Sequence, residues 1–255
     1  MKSFKERINN LDTVIGTWVI SPSVHSLNAI CSSGLDFVIL DQEHGAISNN
    51  DLLPLINTCK ANNVSCLVRP ASINKDAIQH ALDQGADGVQ VPNIDNKEDA
   101  MKVINFSKYP PLGNRGYSPF VPSSKYLNNG SSWNVQMNKD LVTGINIEGE
   151  EAIQNIEEIL QLENLDIIFV GLFDLSKAMG IPGDVFNKKV KLKLQDVIEK
   201  TKEKNISIGT IATSKNHINE LISLGVNFIV YLVDMNVLSQ AYTDIKESFE
   251  KFNEK

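Results

Sequence analysis

Cysteine is scarce in this chain. Only Cys31, Cys59 and Cys66 occur among 255 residues. An odd number without a Cys-x-x-Cys pair reads as small apolar side chains of a reduced, cytosolic protein, not as a disulfide framework. Long apolar runs are missing as well. None reaches the length of a membrane span, and the N-terminal Met1-Lys2-Ser3-Phe4-Lys5-Glu6-Arg7 is charged without an apolar core. The expectation is a soluble, cytoplasmic protein. Basic residues are in deficit: 24 Lys and Arg stand against 31 Asp and Glu, a net charge of -7 spread along the chain. A nucleic-acid surface needs a basic face, so that partner is excluded, and tight binding to anionic membranes is disfavoured. A small anionic substrate stays compatible, because one arginine or a metal can set the field inside a pocket. Low-complexity tracts and dividing linkers are also absent, as is a Gly-x-Gly-x-x-Gly after the first strand candidate.

What is present is a regular alternation. Apolar strand candidates fall at 14–19, 37–41, 65–69, 88–92, 142–148, 167–170, 207–211 and 228–232. Amphipathic stretches near 23–33, 48–62, 74–84, 97–107, 150–161, 187–204 and 215–224 separate them, with a last one near 236–252. Gly34, Gly85 and Gly225 each follow a helix and precede a strand, where a left-handed residue ends the helix. Eight such units in about 250 residues is the arithmetic of a (β/α)8 barrel. The predicted fold is therefore one α/β barrel domain over residues 1–255, with an open doubly wound sheet as the alternative. One segment breaks the rhythm. Residues 109–140, after the fourth unit, are rich in Pro, Gly, Ser and Asn, and read as a functional lid or interface loop on the active-site side.

The chemistry concentrates at strand ends. Phe37-Val38-Ile39-Leu40 runs into Asp41-Gln42-Glu43-His44-Gly45, and the C-terminal strand edge is where a parallel barrel gathers its reactive groups. The bland alternative is a helix cap with a loop histidine. Arg69, between Val68 and Pro70, has a rigid fork suited to a carboxylate or a developing oxyanion, or else it pairs with Asp41 or Glu43. Glu148 and Asp174 end adjacent strands. Together they suit a hard divalent cation such as Mg²⁺ or Mn²⁺; singly, each could be an N-cap. His44 is the natural general base, and Asp83 could orient it. His25, His80 and His217 lack partner patterns and read as surface residues.

With these residues in place, the chain resembles the HpcH/HpaI aldolase family, metal-dependent class II pyruvate aldolases of the phosphoenolpyruvate/pyruvate barrel superfamily. The likeness runs from Gly16-Thr17-Trp18 to the last helix. It rests on Asp41-Gln42-Glu43-His44-Gly45, Val68-Arg69-Pro70, Ala81-Leu82-Asp83-Gln84-Gly85-Ala86, Val91-Pro92, Tyr109-Pro110-Pro111-Leu112-Gly113-Asn114-Arg115-Gly116, Ile147-Glu148-Gly149 and Asp174-Leu175-Ser176. The resemblance implies that Glu148 and Asp174 hold Mg²⁺, Mn²⁺ or Co²⁺, and that Arg69 steadies the pyruvate enolate. It implies that His44, oriented by Asp83, moves the proton. The backbone after Gly171, around Phe173 and Asp174, would receive the carboxylate, and Trp18 would line the pocket. It further implies a homo-trimer or homo-hexamer that exchanges the C-terminal helix between subunits, acting on pyruvate and an aldehyde. None of the strand-end positions is a lysine, consistent with a mechanism without a Schiff base. Two positions depart from the family pattern. Asn146 replaces a glutamine, and Leu172-Phe173 stand where a proline and a small residue are usual. They bear on substrate identity and on how well the site works. Two further readings follow: a citryl-CoA-type carbon–carbon lyase, or a non-catalytic barrel that binds a 2-oxo acid.

Overall fold

Eight short apolar segments pair in chain order, each parallel to the next, and the last returns to the first to close a barrel. The computed structural model describes residues 2–127 and 130–253. The strands are β1 (Val14–Val19), β2 (Phe37–Asp41), β3 (Ser65–Arg69), β4 (Gly88–Val91), β5 (Val142–Ile147), β6 (Ile167–Val170), β7 (Ser207–Ala212) and β8 (Phe228–Val233). Each lies within one residue of its sequence expectation. Every residue of β2, β4, β5, β6 and β7 is buried. Strands covered on both faces read as unbroken apolar runs, which is why the sequence revealed them.

The covering helices are α1 (Phe4–Asn9), α2 (Val24–Cys31), α3 (Asn49–Ala61), α4 (Lys75–Asp83), α5 (Lys97–Ser107) and α6 (Ser131–Asp140). They continue as α7 (Glu150–Gln154), α8 (Ile156–Ile159), α9 (Leu172–Ala178), α10 (Lys188–Lys202), α11 (Lys215–Leu224) and α12 (Asp234–Asn253). The stretch expected at 150–161 is thus two short helices. The helices α1, α6 and α9 had no counterpart in the sequence expectation.

The floor of the barrel repeats one device four times. Asp36, Asp87, Asp166 and Asn227 each stand one residue before an even-numbered strand. Each side chain accepts the backbone N–H of Ile15, Cys66, Thr143 or Ile208 on the preceding strand, at 2.8, 2.8, 2.7 and 2.9 Å. Two residues earlier the chain is left-handed at Gly34, Gly85, Asn164 and Gly225. Glycine tolerates that conformation without penalty, and asparagine is the next most tolerant residue. The sequence signalled three of the four; Asn164 is the fourth in disguise.

The 109–140 segment corrects an expectation. It leaves the end of α5 and feeds the start of β5, so it lies at the N-terminal face of the barrel, opposite the active-site side. A helix-to-strand connection must return to that face, whereas the site is built from strand-to-helix loops. Its contacts agree. Lys108 donates to the carbonyls of Leu141 (2.8 Å) and Asn138 (3.0 Å), and Arg115 pairs with Asp83 at the end of α4 (2.5 Å). Tyr109, Tyr117 and Trp133 pack ring to ring as its small core, with the Arg115 guanidinium 4.6 Å from the centre of the Tyr109 ring. Residues 128 and 129 of this segment lie outside the described residues.

Two further points concern the helices. The last one, α12, meets the barrel only at its start, and the described side chains from Asn236 to Lys251 are all exposed. Between α2, α11 and the start of α12 lies an apolar groove of about 670 Å³ lined by Ile15, Ile30, Leu35, Ile218 and Tyr231. All three cysteines are free and buried, as expected of small apolar side chains, with Cys31 Sγ 4.0 Å from Cys59 Sγ. Among the described residues no helix is long and apolar enough to cross a membrane.

Candidate active site

The pairing register of β2 and β3 builds the first half of the site, because it sets Asp41 beside Arg69 at the C-terminal edge. Their side chains form a fork: Arg69 Nε lies 2.8 Å from Asp41 Oδ1 and Nη2 lies 2.7 Å from Oδ2. Glu43 Oε2 sits 3.1 Å from Nη1. Trp18, at the end of β1, lies under the guanidinium with 3.9 Å from Cζ to the ring centre. Arg69 is therefore the paired arginine of the bland reading and also a lining residue of the pocket. Asp41 Oδ1 additionally accepts the backbone N–H groups of Glu43 (2.9 Å) and His44 (3.3 Å), which folds the loop that carries His44. Neither carboxylate caps the next helix, since Ser48 and Asp51 perform that task reciprocally.

The second half comes from β4, β5 and β6. Glu148 lies just past β5. Its Oε1 accepts Asn146 Nδ2 at 3.0 Å and its Oε2 accepts the Asn93 backbone N–H at 3.1 Å. Asn146 is buried, and its own Oδ1 accepts from Gln90 Nε2 at 2.7 Å. Asn93, left-handed at φ 59°, also donates from Nδ2 to Glu43 Oε1 at 3.1 Å, tying the two carboxylate arms together. Asp174 sits in the first turn of α9, and Gly149 and Gly171 occupy the N-cap positions of α7 and α9. Neither acid is a cap. A Cβ on Gly171 would come within 2.9 Å of Glu148 Cγ, so the glycine lets the β6 end pass this carboxylate.

These residues share one pocket of about 340 Å³, lined by Trp18, Asp41, His44, Arg69, Asn146, Glu148, Gly171, Phe173 and Asp174, with Ile20, Phe169, Leu172, Ile211 and Val233. Every expected site residue but one is among them. The exception is Asp83. It ends α4 on the opposite face and pairs with Arg115, so within one chain it cannot orient His44. The His44 imidazole is largely exposed, with Nε2 4.0 Å from Glu43 Oε2. Gln90, Asn93 and Asp234, whose buried carboxylate accepts the backbone N–H groups of Ile20 and Ser21 beside the pocket, were not anticipated. Gln90 carried a signal, a polar residue inside the apolar run Gly88-Val89-Gln90-Val91; the other two had none. His217 also departs from expectation: it is buried, and its Nδ1 accepts the Thr213 backbone N–H at 3.3 Å. His25 is exposed and His80 half-buried.

The donor set fits a hard divalent cation. Burial pushes the Glu148 carboxyl upward, the Asn146 and Asn93 hydrogen bonds oppose this, and the nearby charges of Glu43 and Asp174 push it further up. Carboxylates that repel one another around a pocket are relieved by a cation between them. Among the described residues no three His, Cys, Asp or Glu side chains form a metal cage. Asp41 and Glu43 are engaged by Arg69, so Glu148 and Asp174 are the carboxylates left for a cation, and two such ligands leave positions for water and substrate oxygens.

Comparison with known proteins gives this geometry its context. The 2-keto-3-deoxy-L-rhamnonate aldolase of Escherichia coli K12 is 27% identical over 238 residues, 93% of this chain and 89% of its own length. The solved structure of the citrate synthase SbnG is 26% identical, covers 99% of both chains and superposes with a TM-score of 0.89. An HpcH/HpaI aldolase from Desulfitobacterium hafniense DCB-2 shares the fold at 23% identity and a TM-score of 0.92, over 98% of this chain and 97% of its own. Residues 14–241 match the HpcH/HpaI aldolase/citrate lyase family, and the chain belongs to it.

Proposed function

We propose that this enzyme is a divalent-metal-dependent aldolase that cleaves or forms a 4-hydroxy-2-oxo acid, with pyruvate and an aldehyde as the other partners. The observation that carries this reading is Arg69, clamped by Asp41 and Glu43 over Trp18, in the same pocket as Glu148 and Asp174. Retro-aldol cleavage leaves negative charge on the pyruvate keto oxygen. A guanidinium fixed before the reaction stabilises that charge without having to reorganise. Glu148 and Asp174 would hold Mg²⁺, Mn²⁺ or Co²⁺, which supplies Lewis-acid polarisation of the keto group. His44 takes the proton from the substrate hydroxyl in cleavage and returns it in condensation. The Phe173 and Asp174 backbone N–H groups, in a helix turn without a side-chain cap, receive the pyruvate carboxylate.

Exchange of the pyruvate methyl protons for deuterium, followed by NMR, tests this without knowing the aldehyde. Exchange should require Mn²⁺ or Mg²⁺, stop with EDTA, vanish in Glu148→Ala and fall about 10²–10³-fold in Arg69→Ala. Absence of exchange with every metal would overturn the aldolase reading in favour of the non-catalytic barrel. The citryl-CoA alternative is weaker. Arg69 is the sole Lys or Arg lining the pocket among the described residues, and it is already paired, so a nucleotide finds no basic groups there. Likeness to the citrate synthase, an enzyme named for forming a carbon–carbon bond, supports condensation as a second reading of direction.

Assembly belongs to the same proposal. The exposed Val237, Leu238, Tyr242, Ile245 and Phe249 on α12, and the open groove beside α2 and α11, support a homo-trimer or homo-hexamer that exchanges this helix. In such an assembly the Asp83 that meets His44 belongs to a neighbouring subunit, because its own barrel stands between them.

A further inference from the structure

The pocket has two chemically different sides. Its polar groups come from β2, β3, β5 and the turn after β6. The contiguous strands β7, β8 and β1 contribute Ile211, Val233, Trp18 and Ile20, all apolar, and Leu172 and Phe173 continue that surface. This wall is fixed in place. Between Gly16 and Trp18 the β1–β8 register slips, with Gly16 opposite Val230 and Trp18 opposite Val233, so β8 carries one extra residue. Leu232 absorbs it in a left-handed conformation, φ 48°. A bulge of this kind re-aims the residue that follows, and here that residue is Val233, which lines the pocket. The next residue, Asp234, is buried and accepts the backbone N–H groups of Ile20 (3.1 Å) and Ser21 (3.3 Å). Ile20 is held from its other side by the Ala46 N–H on its carbonyl at 2.9 Å.

We propose that this wall is the acceptor subsite, that it selects a short uncharged aldehyde with an aliphatic substituent, and that Val233 is its chief specificity-determining residue. The inference rests on the pyruvate-enolate reading above and adds the class of the second substrate. A carboxylated acceptor would place its anion against Ile20, Ile211 and Val233, with its charge desolvated and unpaired. Arg69 is held by Asp41 and Glu43, and on the reading above its remaining N–H groups serve the pyruvate keto oxygen. An aliphatic chain removes apolar surface from water at the same place, worth about fourfold per methylene (about 0.8 kcal/mol).

The test is a panel of acceptors with pyruvate and Mn²⁺, comparing ethanal, propanal and butanal with glyoxylate, succinic semialdehyde and oxaloacetate. The value of kcat/KM should rise severalfold with each methylene up to butanal. Butanal should exceed succinic semialdehyde by at least tenfold. Val233→Ala should flatten the dependence on chain length. Val233→Lys, checked for folding by its melting curve, should shift the butanal to succinic semialdehyde ratio at least tenfold toward the anion. Preference of the unaltered enzyme for any carboxylated acceptor, or a ratio unmoved in both variants, overturns the inference while pyruvate exchange still stands. Loss of pyruvate exchange in the unaltered enzyme overturns the enolate reading itself.

Discussion

Glu148 is held by two neighbours that share no element with it, Asn146 from β5 and Asn93 from the turn after β4. The short amide at 146 spans from Gln90 to the carboxylate because both ends are close: 2.7 and 3.0 Å. Supports of this kind orient a metal ligand, the role proposed above for Glu148, and losing one costs about 10–100-fold in affinity. Asn146→Ala should therefore weaken Mn²⁺ binding by that factor, read by the loss of free Mn²⁺ signal in paramagnetic resonance. Unchanged affinity would show that Glu148 needs no help from Asn146. The Arg69 fork makes a complementary case. Lysine cannot reproduce two parallel contacts with Asp41 together with one to Glu43, so Arg69→Lys should retain folding and lose most of the pyruvate exchange.

Among the elements, the four acceptors at the barrel floor supply an internal control. Three are aspartates and one is Asn227, in the same position with the same bond. Burial pushes the Asp87 carboxyl upward, against the Cys66 N–H and the Lys60 charge that pull it down. A carboxyl whose folded value is raised contributes most at low pH, below its unfolded value near 3.9, and that contribution is lost as pH rises through the folded value. Asp87→Asn copies the Asn227 solution and has no charge to desolvate. It should match or exceed the parent in thermal stability at neutral pH, with an advantage that shrinks as pH falls toward 4. Asp87→Ala leaves the Cys66 N–H without its acceptor and should cost about 1–3 kcal/mol in denaturant unfolding. A destabilised Asp87→Asn would mean that the charge, in the field of Lys60, is what the floor requires.

The whole molecule raises a question that one chain does not answer. His44 opens on one face and Asp83 closes the other, with the barrel between them. If subunits bring the two together, coexpressed His44→Ala and Asp83→Ala chains should form hybrid oligomers in which some sites have both residues intact. Activity should then exceed that of either variant alone, toward a quarter of the parent for random pairing. Failure to complement, with mixed oligomers verified by mass spectrometry, would leave His44 without Asp83.

Local rules determined much of this protein from its sequence alone. Strand positions followed from unbroken apolar runs, since both faces of each strand are covered. The floor turns followed from Gly34, Gly85 and Gly225, because only a few residues accept a left-handed turn. The reactive edge followed from polar residues that end apolar runs, as at Asp41, Arg69 and Glu148. Tertiary structure decided everything that depends on pairing between distant segments. It placed Asn93 between Glu43 and Glu148, buried His217 against Thr213, and set Val233 into the pocket through a bulge in β8. It also sent Asp83 and the 109–140 segment to the far face. The physical reason is that a residue's own sequence neighbours fix its backbone preference and its face. Which groups it meets is set by the register and direction of the strands around a closed barrel.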